Sequence, residues 1–286
     1  MKRTVVWLVL LAVVACLFTV PAMAEETDPA VEAIKARGKL NIGVKADVPG
    51  FGYQELGGDY EGLEIDLAKA FAEKLLGDPD AVSFTAVTAK TRGPLLDTGE
   101  LDVIIATFTI MPDRLLQYDF SQPYYVDAVG LLVKTADNIS AYADLDGKTI
   151  GVAQSSSTRA ALEPAAEELG INVEFLEFQT YPDIKAALDS GRVQCFSVDK
   201  AILTGYLDDT VTLLPDSFAA QPYGAAFKKG NEGLTAIYDE LISEMRESGE
   251  LDTLVAKYGL PTLNWDELDA FHESLWAAAA ELEAAQ

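Results

Sequence analysis

Short apolar runs rich in β-branched residues alternate along most of this chain with stretches whose apolar positions recur every three to four residues. That pairing of periods is the signature of an α/β protein. Two segments occur twice. GKLNIGV (38–44) returns as GKTIGV (147–152), and LLDTGELDVIIA (95–106) returns as ALDSGRVQCFSV (187–198). The offsets, 109 and 92 residues, are unequal and too long for a solenoid period, so the repeat predicts two lobes of like topology. In each lobe the first segment predicts an opening strand. The second predicts a helix stopped at Gly99 or Gly191 that turns into a buried strand. Further helices are predicted over Leu63 to Leu75 and Ser157 to Leu169, and the crossover rule makes each sheet mixed but mostly parallel, with flanking helices. Near the end, NWDE (264–267) reads as a capping box, and Leu268, Phe271, Leu275, Ala279 and Leu282 follow at helical spacing. An additional amphipathic helix is expected over 263–286, packed on its own lobe.

The first 24 residues break the pattern. Lys2 and Arg3 precede an apolar run from Val5 to Val20, and Ala22-Met23-Ala24 suits signal-peptide cleavage before Glu25. VVAC (13–16) is a passable lipobox that would instead anchor the chain through Cys16. The apolar run continues past Cys16, which favours simple secretion to the periplasm or cell surface. The chain has 21 basic and 46 acidic residues, and removing the leader takes two positive charges and no negative ones. Nucleic acid and anionic membrane surfaces are therefore poor partners. Cys195 would be the one thiol left, buried in an apolar strand, so no internal disulfide can form.

In so acidic a chain, a cation at the end of a buried strand calls for a reason. Ligands of open α/β sheets sit outside the carboxyl ends of the strands. Those ends carry Lys45, Thr107 and Thr109 in the first lobe, and Ser156, Ser157, Thr158 and Asp199 in the second. Arg114 follows Thr109 by five residues and offers a planar fork for a carboxylate. The SSST run (155–158) opens a helix whose free N–H groups also favour an anion, while Asp199 supplies one negative charge. An α-amino acid answers all three. Arg92 and Lys45 remain as further cations at the cleft edge and ask for a second carboxylate, which points to aspartate or glutamate.

The stretches GVKADVPGF, EGLEIDLAK, AKTRGPLLDTGELDVIIATFTIMPDR, YDFSQPYY, IGVAQSSST, YPDIKAALDSGRV and FSVDKAIL occur in this order between Gly38 and Leu260. With them the chain resembles the solute-binding proteins of polar amino-acid ABC transporters, family 3, and within them the aspartate/glutamate-binding group. The resemblance implies a type II periplasmic binding protein fold, two lobes joined by two hinge strands that close over the ligand. It implies that Arg114 grips the α-carboxylate, Asp199 the ammonium, and Arg92, Lys45 and Tyr181 the side-chain acid. It also implies a permease as partner and no cofactor, with the protein a monomer. On that pattern the lobes comprise 25–125 with 224–262, and 129–218, with crossings near Val126 to Ala128 and Ala219 to Tyr223. Gln194-Cys195 departs from an Asp-Ala pair usual in the family.

Other readings compete. Arg114 could pair with Asp113 or Asp119, and Asp199 could cap the helix that begins at Lys200. The acids of EGLEIDL read as a solvated helical face, and His272, the sole histidine, as a surface residue. Glutamine or another polar amino acid is the alternative ligand. A cyclohexadienyl-dehydratase-like enzyme on the same fold is the alternative class, although the chain has no Cys/His nucleophile pair, HExxH motif or zinc spacing.

Overall fold

The structure is a computed structural model that describes residues 28–285, so the predicted leader and Cys16 lie outside the described residues. Asp28 caps the first helix, α1 (Pro29–Arg37), by accepting the Ala30 N–H at 2.7 Å. The first sheet then opens with β1 (Leu40–Val44), and a three-stranded flap of β2 (Asp47–Val48), β3 (Gly52–Gln54) and β4 (Tyr60–Glu61) leads into α2 (Leu63–Leu76). It continues through β5 (Val82–Ala86), α3 (Arg92–Asp97), β6 (Val103–Ile105), α4 (Pro112–Gln117) and β7 (Tyr118–Phe120).

A long strand, β8 (Tyr125–Lys134), carries the chain into the second sheet. There follow β9 (Thr149–Ala153), α5 (Thr158–Leu169), β10 (Glu174–Phe178), α6 (Tyr181–Asp189), β11 (Cys195–Asp199), α7 (Lys200–Thr204) and β12 (Val211–Leu213). The chain returns along β13 (Phe218–Tyr223) to β14 (Ala226–Lys228), then α8 (Glu232–Ser248), α9 (Glu250–Lys257) and α10 (Trp265–Ala284).

The repeated segments occupy matching places. In the first sheet the order is β5-β1-β6-β14-β7, and in the second β10-β9-β11-β8-β12, with β13 also paired to β8. The first three strands of each are parallel and the fourth is antiparallel, so the fourth strand of each sheet is the first one laid down after the chain has left the other. This is the two-lobed type II binding-protein fold. Both predicted helix stops hold: Gly99 (φ 78°) and Gly191 (φ 76°) take the left-handed conformation that ends α3 and α6.

The apolar interior of the first lobe runs on without a break into the α6 and α7 side of the second, whose α5 side has a core of its own. Leu67, Ala68, Phe71 and Leu75 line the inner face of α2, and Phe71 packs edge-on against Phe227 and Tyr238. Leu162 and Ala166 of α5 cover Ile150, Val152 and Cys195. The Cys195 thiol is buried and its pKa pushed up, as an inert core residue requires. The two crossings run side by side, with Tyr125 opposite Tyr223 and Asp127 opposite Gln221, and a bulge near Ala219 (φ 30°) breaks the register. The lobes touch: the Tyr206 hydroxyl donates to the Asp47 carbonyl at 2.6 Å, and the Thr109 and Ser157 hydroxyls lie 3.4 Å apart.

The added helix α10 is capped by Asn264, whose side chain accepts the Glu267 N–H at 3.4 Å, and pinned by a two-pronged Arg246–Asp269 ion pair at 2.6 and 2.7 Å. It lies along α4, and Phe271 and Leu275 reach a cavity of about 350 Å³ walled by Ala219, Gln221 and Pro222 of the second crossing. Its stripe is shorter than expected. Leu268 and Ala279 are buried, but Leu282 is 44% exposed, while Ala280 and Glu283 are the residues that still face α4 and α8. His272 is half-buried, its ring tilted against that of Trp276 with centres 4.2 Å apart, and is not a plain surface residue.

Gly62, the residue before α2, fixes how the flap enters that helix. Its φ is 129°, and a Cβ there would stand 2.1 Å from the Phe51 carbonyl oxygen. Gly62→Ala is expected to destabilise the protein by about 2–4 kcal/mol. Urea unfolding checks this; an unchanged midpoint would show that the flap can shift freely.

Candidate ligand-binding site

Beyond the end of β6 the backbone bends sharply at Thr107, a non-glycine residue with φ 43°. Such a conformation costs about 1 kcal/mol or more and persists only where surroundings hold it. Here both sides of the residue are held. Its N–H donates to Glu64 Oε1 at 2.6 Å, and its carbonyl accepts from Arg92 Nη1 at 3.1 Å, which also donates to the Ala106 carbonyl at 2.6 Å. Glu64 is fully buried near the start of α2 and accepts the Tyr124 hydroxyl at 2.6 Å as well. The expected solvated acidic face is therefore corrected. Glu61 is exposed on β4 and Asp66 half-buried, but Glu64 shares the inward face of α2 with Leu67, Ala68 and Phe71.

The bend delivers the cations. Arg92 is 4% exposed, lies 3.8 Å over the Phe108 ring, and has an Nε with no hydrogen-bond partner. Arg114 lies 4.8 Å over the same ring and donates Nη1 to the Thr109 carbonyl at 2.8 Å, with Nη2 at 3.5 Å from the Ser155 carbonyl of the other lobe. Burial, and then Arg92, lower its pKa to about 9. It does not pair with Asp119, which Lys229 occupies at 3.1 Å. Lys45 is 2% exposed; its Nζ stands 3.0 Å from Asp47 Oδ1 and 4.4 Å over the Tyr181 ring. Burial holds its pKa below the usual lysine value.

Asp199 faces these cations from the end of β11, buried, and accepts the Tyr223 hydroxyl. It stands at the N-cap position of α7 but does not cap it: Asp127, across on β8, accepts the Ala201 N–H at 2.8 Å. That substitution frees Asp199. Burial, then the neighbouring Asp127, raise its pKa to about 7, and burial raises Asp127 to about 6.

The hydroxyls are mostly engaged within the protein. Thr109 and Ser157 both donate to Gln221 Oε1, at 2.9 and 2.6 Å, and Ser156 donates to the Ala153 carbonyl at 2.8 Å. Thr158 is buried in the first turn of α5, and Thr107 Oγ1 is buried with no partner. Ser157 precedes α5 without a side-chain cap, so this helix start offers backbone N–H groups. Phe51, Tyr125 and Tyr223 form an aromatic wall with ring centres 5.1 to 5.9 Å apart.

Contacts or a shared groove link nine of the ten expected residues near the facing strand ends of the two sheets; the tenth, Thr158, is buried in α5 with no side-chain hydrogen bond to them. Sequence reasoning missed Glu64, Asp127 and Gln221. The first was signalled by its place on the apolar face of α2; the other two act through pairing of the crossings, which no local pattern announces.

The sequence profile of the bacterial extracellular solute-binding proteins, family 3, matches residues 40–261. The chain belongs to that family. The ABC transporter glutamine-binding protein of Bacillus subtilis is 35% identical over 83% of this chain and 87% of its own. The L-glutamate/L-aspartate-binding protein of Pseudomonas aeruginosa is 27% identical over 86% and 85%. Among solved structures, an ancestral arginine-binding protein bound to arginine superposes with a TM-score of 0.70 at 33% identity, covering 78% of this chain and 98% of that one. No helix among the described residues of this family 3 protein is long and apolar enough to cross a membrane.

Buried acids with raised pKa values give the folded family 3 protein more bound protons than its unfolded chain between roughly pH 4, the unfolded value, and about pH 7. Stability contributed by Glu64 and Asp199 is present below that window and lost as pH rises through it. Asp144, Asp208 and Asp269, held low by hydrogen bonds, act below it. The urea midpoint of ligand-free protein should fall from about pH 5 to about pH 7 and level off above; a midpoint that climbs over that range would contradict the assignment.

Proposed function

We propose that this protein captures an acidic α-amino acid, L-aspartate or L-glutamate, between its closing lobes and presents it to the membrane subunits of an ABC transporter. It works outside the cytoplasm, as a binding component and not an enzyme. The lobes are 25–125 with 224–262, and 129–218, and the molecule acts as a monomer. One observation carries the ligand reading. The buried Arg92 and Lys45 and the half-buried Arg114 converge on one cleft, and the hydrogen bonds of both arginines go to backbone carbonyls, not to carboxylates. Buried cations without an anionic partner are costly, and an incoming dicarboxylate relieves that cost.

In this reading Arg114 and the start of α5 hold the α-carboxylate, and Asp199 holds the ammonium. Lys45 and Arg92 hold the side-chain carboxylate beside Tyr181. Thr107 and Thr109 position the loop, and the buried Thr107 hydroxyl, without a hydrogen-bond partner among the described residues, is available to the ligand. The name of the Bacillus relative favours a second reading, glutamine. Arg92 cannot separate the two cleanly, because it also holds the Thr107 bend.

Lys45 can. Lys45→Met keeps the stem over Tyr181 and removes the charge, and should weaken aspartate or glutamate by about 10- to 100-fold (about 1.5–3 kcal/mol) while glutamine changes far less. Calorimetric titration of refolded, ligand-stripped protein reads both; tight glutamine binding with no heat from either acid would reject the acidic ligand. Closure is read separately. Small-angle scattering should show a smaller radius of gyration at saturating ligand, and superimposable profiles would rule out lobe movement.

A further inference from the structure

We propose that Glu64 sets which ligand charge the cleft accepts: as the neutral acid it leaves the site matched to a monoanionic amino acid, and as the carboxylate it matches the site to a neutral side chain. The proposal deepens the acidic-ligand reading and rests on it.

Lys45, Arg92 and Arg114 bring three cations to the cleft, and Asp47 and Asp199 bring two anions. Asp127 is compensated apart from these, by the Ala128 and Ala201 N–H groups and by Lys200. One positive charge is left over. Aspartate and glutamate carry one net negative charge near neutral pH and glutamine none, so the sixth titratable side chain in the cluster decides which of them leaves the buried site neutral.

Geometry leaves that side chain undecided. Glu64 Oε1 is saturated by the Thr107 N–H and the Tyr124 hydroxyl, both at 2.6 Å, whereas Oε2 is buried with no hydrogen-bond partner among the described residues. The groups around it are Lys45 from β1, Arg92 from α3, Tyr124 ahead of β8, Tyr181 from α6 and Tyr238 from α8. Arg92, the natural counter-ion, has Nη1 turned to the Ala106 and Thr107 carbonyls and its Nε unpartnered. Burial raises the Glu64 pKa to about 7, so its proton exchanges within the range where binding is measured.

A ligand carboxylate taken up by Lys45 and Arg92 draws on the cations that favour ionised Glu64 and adds an anion nearby. Glu64 then takes a proton from solvent as the acidic ligand enters. Glutamine makes no such demand. Any proton released from Asp199 on meeting the ligand ammonium is common to both ligands and drops out of the comparison.

The test is calorimetric titration of wild-type protein and Glu64→Gln with L-aspartate and L-glutamine, in buffers of different ionisation enthalpy, from about pH 7 to about pH 9. Wild-type protein should take up more protons with aspartate than the variant does, and its aspartate affinity should fall by up to about tenfold per pH unit. In Glu64→Gln, whose amide stands for the neutral acid, the fall should be shallower, leaving only what the lowered pKa values of Lys45 and Arg114 contribute. A purely structural role would lower affinity at every pH and leave the slope alone. Equal slopes and equal proton uptake in the two proteins, with aspartate bound, overturn the role of Glu64 and leave the ligand reading standing. Should the variant not fold, a wild-type aspartate affinity that is flat across the range overturns it equally. Binding of glutamine with no binding of aspartate or glutamate overturns both.

Discussion

The peptide of Thr107 is the constraint on which the site depends. Leaving β6 in a left-handed bend takes its N–H and carbonyl out of the sheet ladder, and buried backbone groups must be paired. Glu64 and Arg92 supply the pairing from opposite sides, which obliges an acid and a base to sit in the interior. The loop so turned rests on the second crossing, where Ile110 donates to the Pro222 carbonyl at 2.7 Å and Gly224 to the Phe108 carbonyl at 3.1 Å. Scaffold and recognition are therefore the same atoms.

That arrangement also explains how a chain of net charge −25 keeps a cationic cleft. Most of its acids are on the surface, where water and salt screen them over about a Debye length. The cleft cations are shielded from that surface by aromatic rings. Phe108 lies under both guanidiniums and Tyr181 under the Lys45 ammonium, so a quadrupole face replaces part of the lost hydration without adding a full negative charge. The field inside the cleft is set by a handful of neighbours and not by the net charge.

Much of this was legible in the sequence. The two repeated segments gave matching strands because apolar runs and glycine stops are local signals, and α2 and α5 begin within a residue of their predicted starts. Asp199 was singled out as a strand-end residue, and it does end β11; Arg114 was singled out as following Thr109 by five residues, and its guanidinium does turn back to the Thr109 carbonyl. What was not legible came from partners distant in sequence. Asp127 displaces Asp199 as the cap of α7 only because β8 lies beside β11, and Gln221 collects two hydroxyls only because the lobes meet. Glu64 was misread for a different reason. Its charge was weighed before its helical face, although its spacing to Leu67, Ala68 and Phe71 already placed it inside. Leu282 shows the converse, a residue at core spacing that is left exposed.

The antiparallel fourth strand that each sheet takes from beyond the crossing bears on how the chain assembles. The first sheet waits for β14, which lies beyond the whole of the second sheet in the chain, and cannot complete its ladder while only the N-terminal half has emerged. Such long-range pairing raises contact order and slows folding. It also means that the two lobes are not separable modules. Cutting both crossings would leave the N-terminal piece without an inner strand of its sheet, so the two lobes are built on a chain that is topologically interlaced.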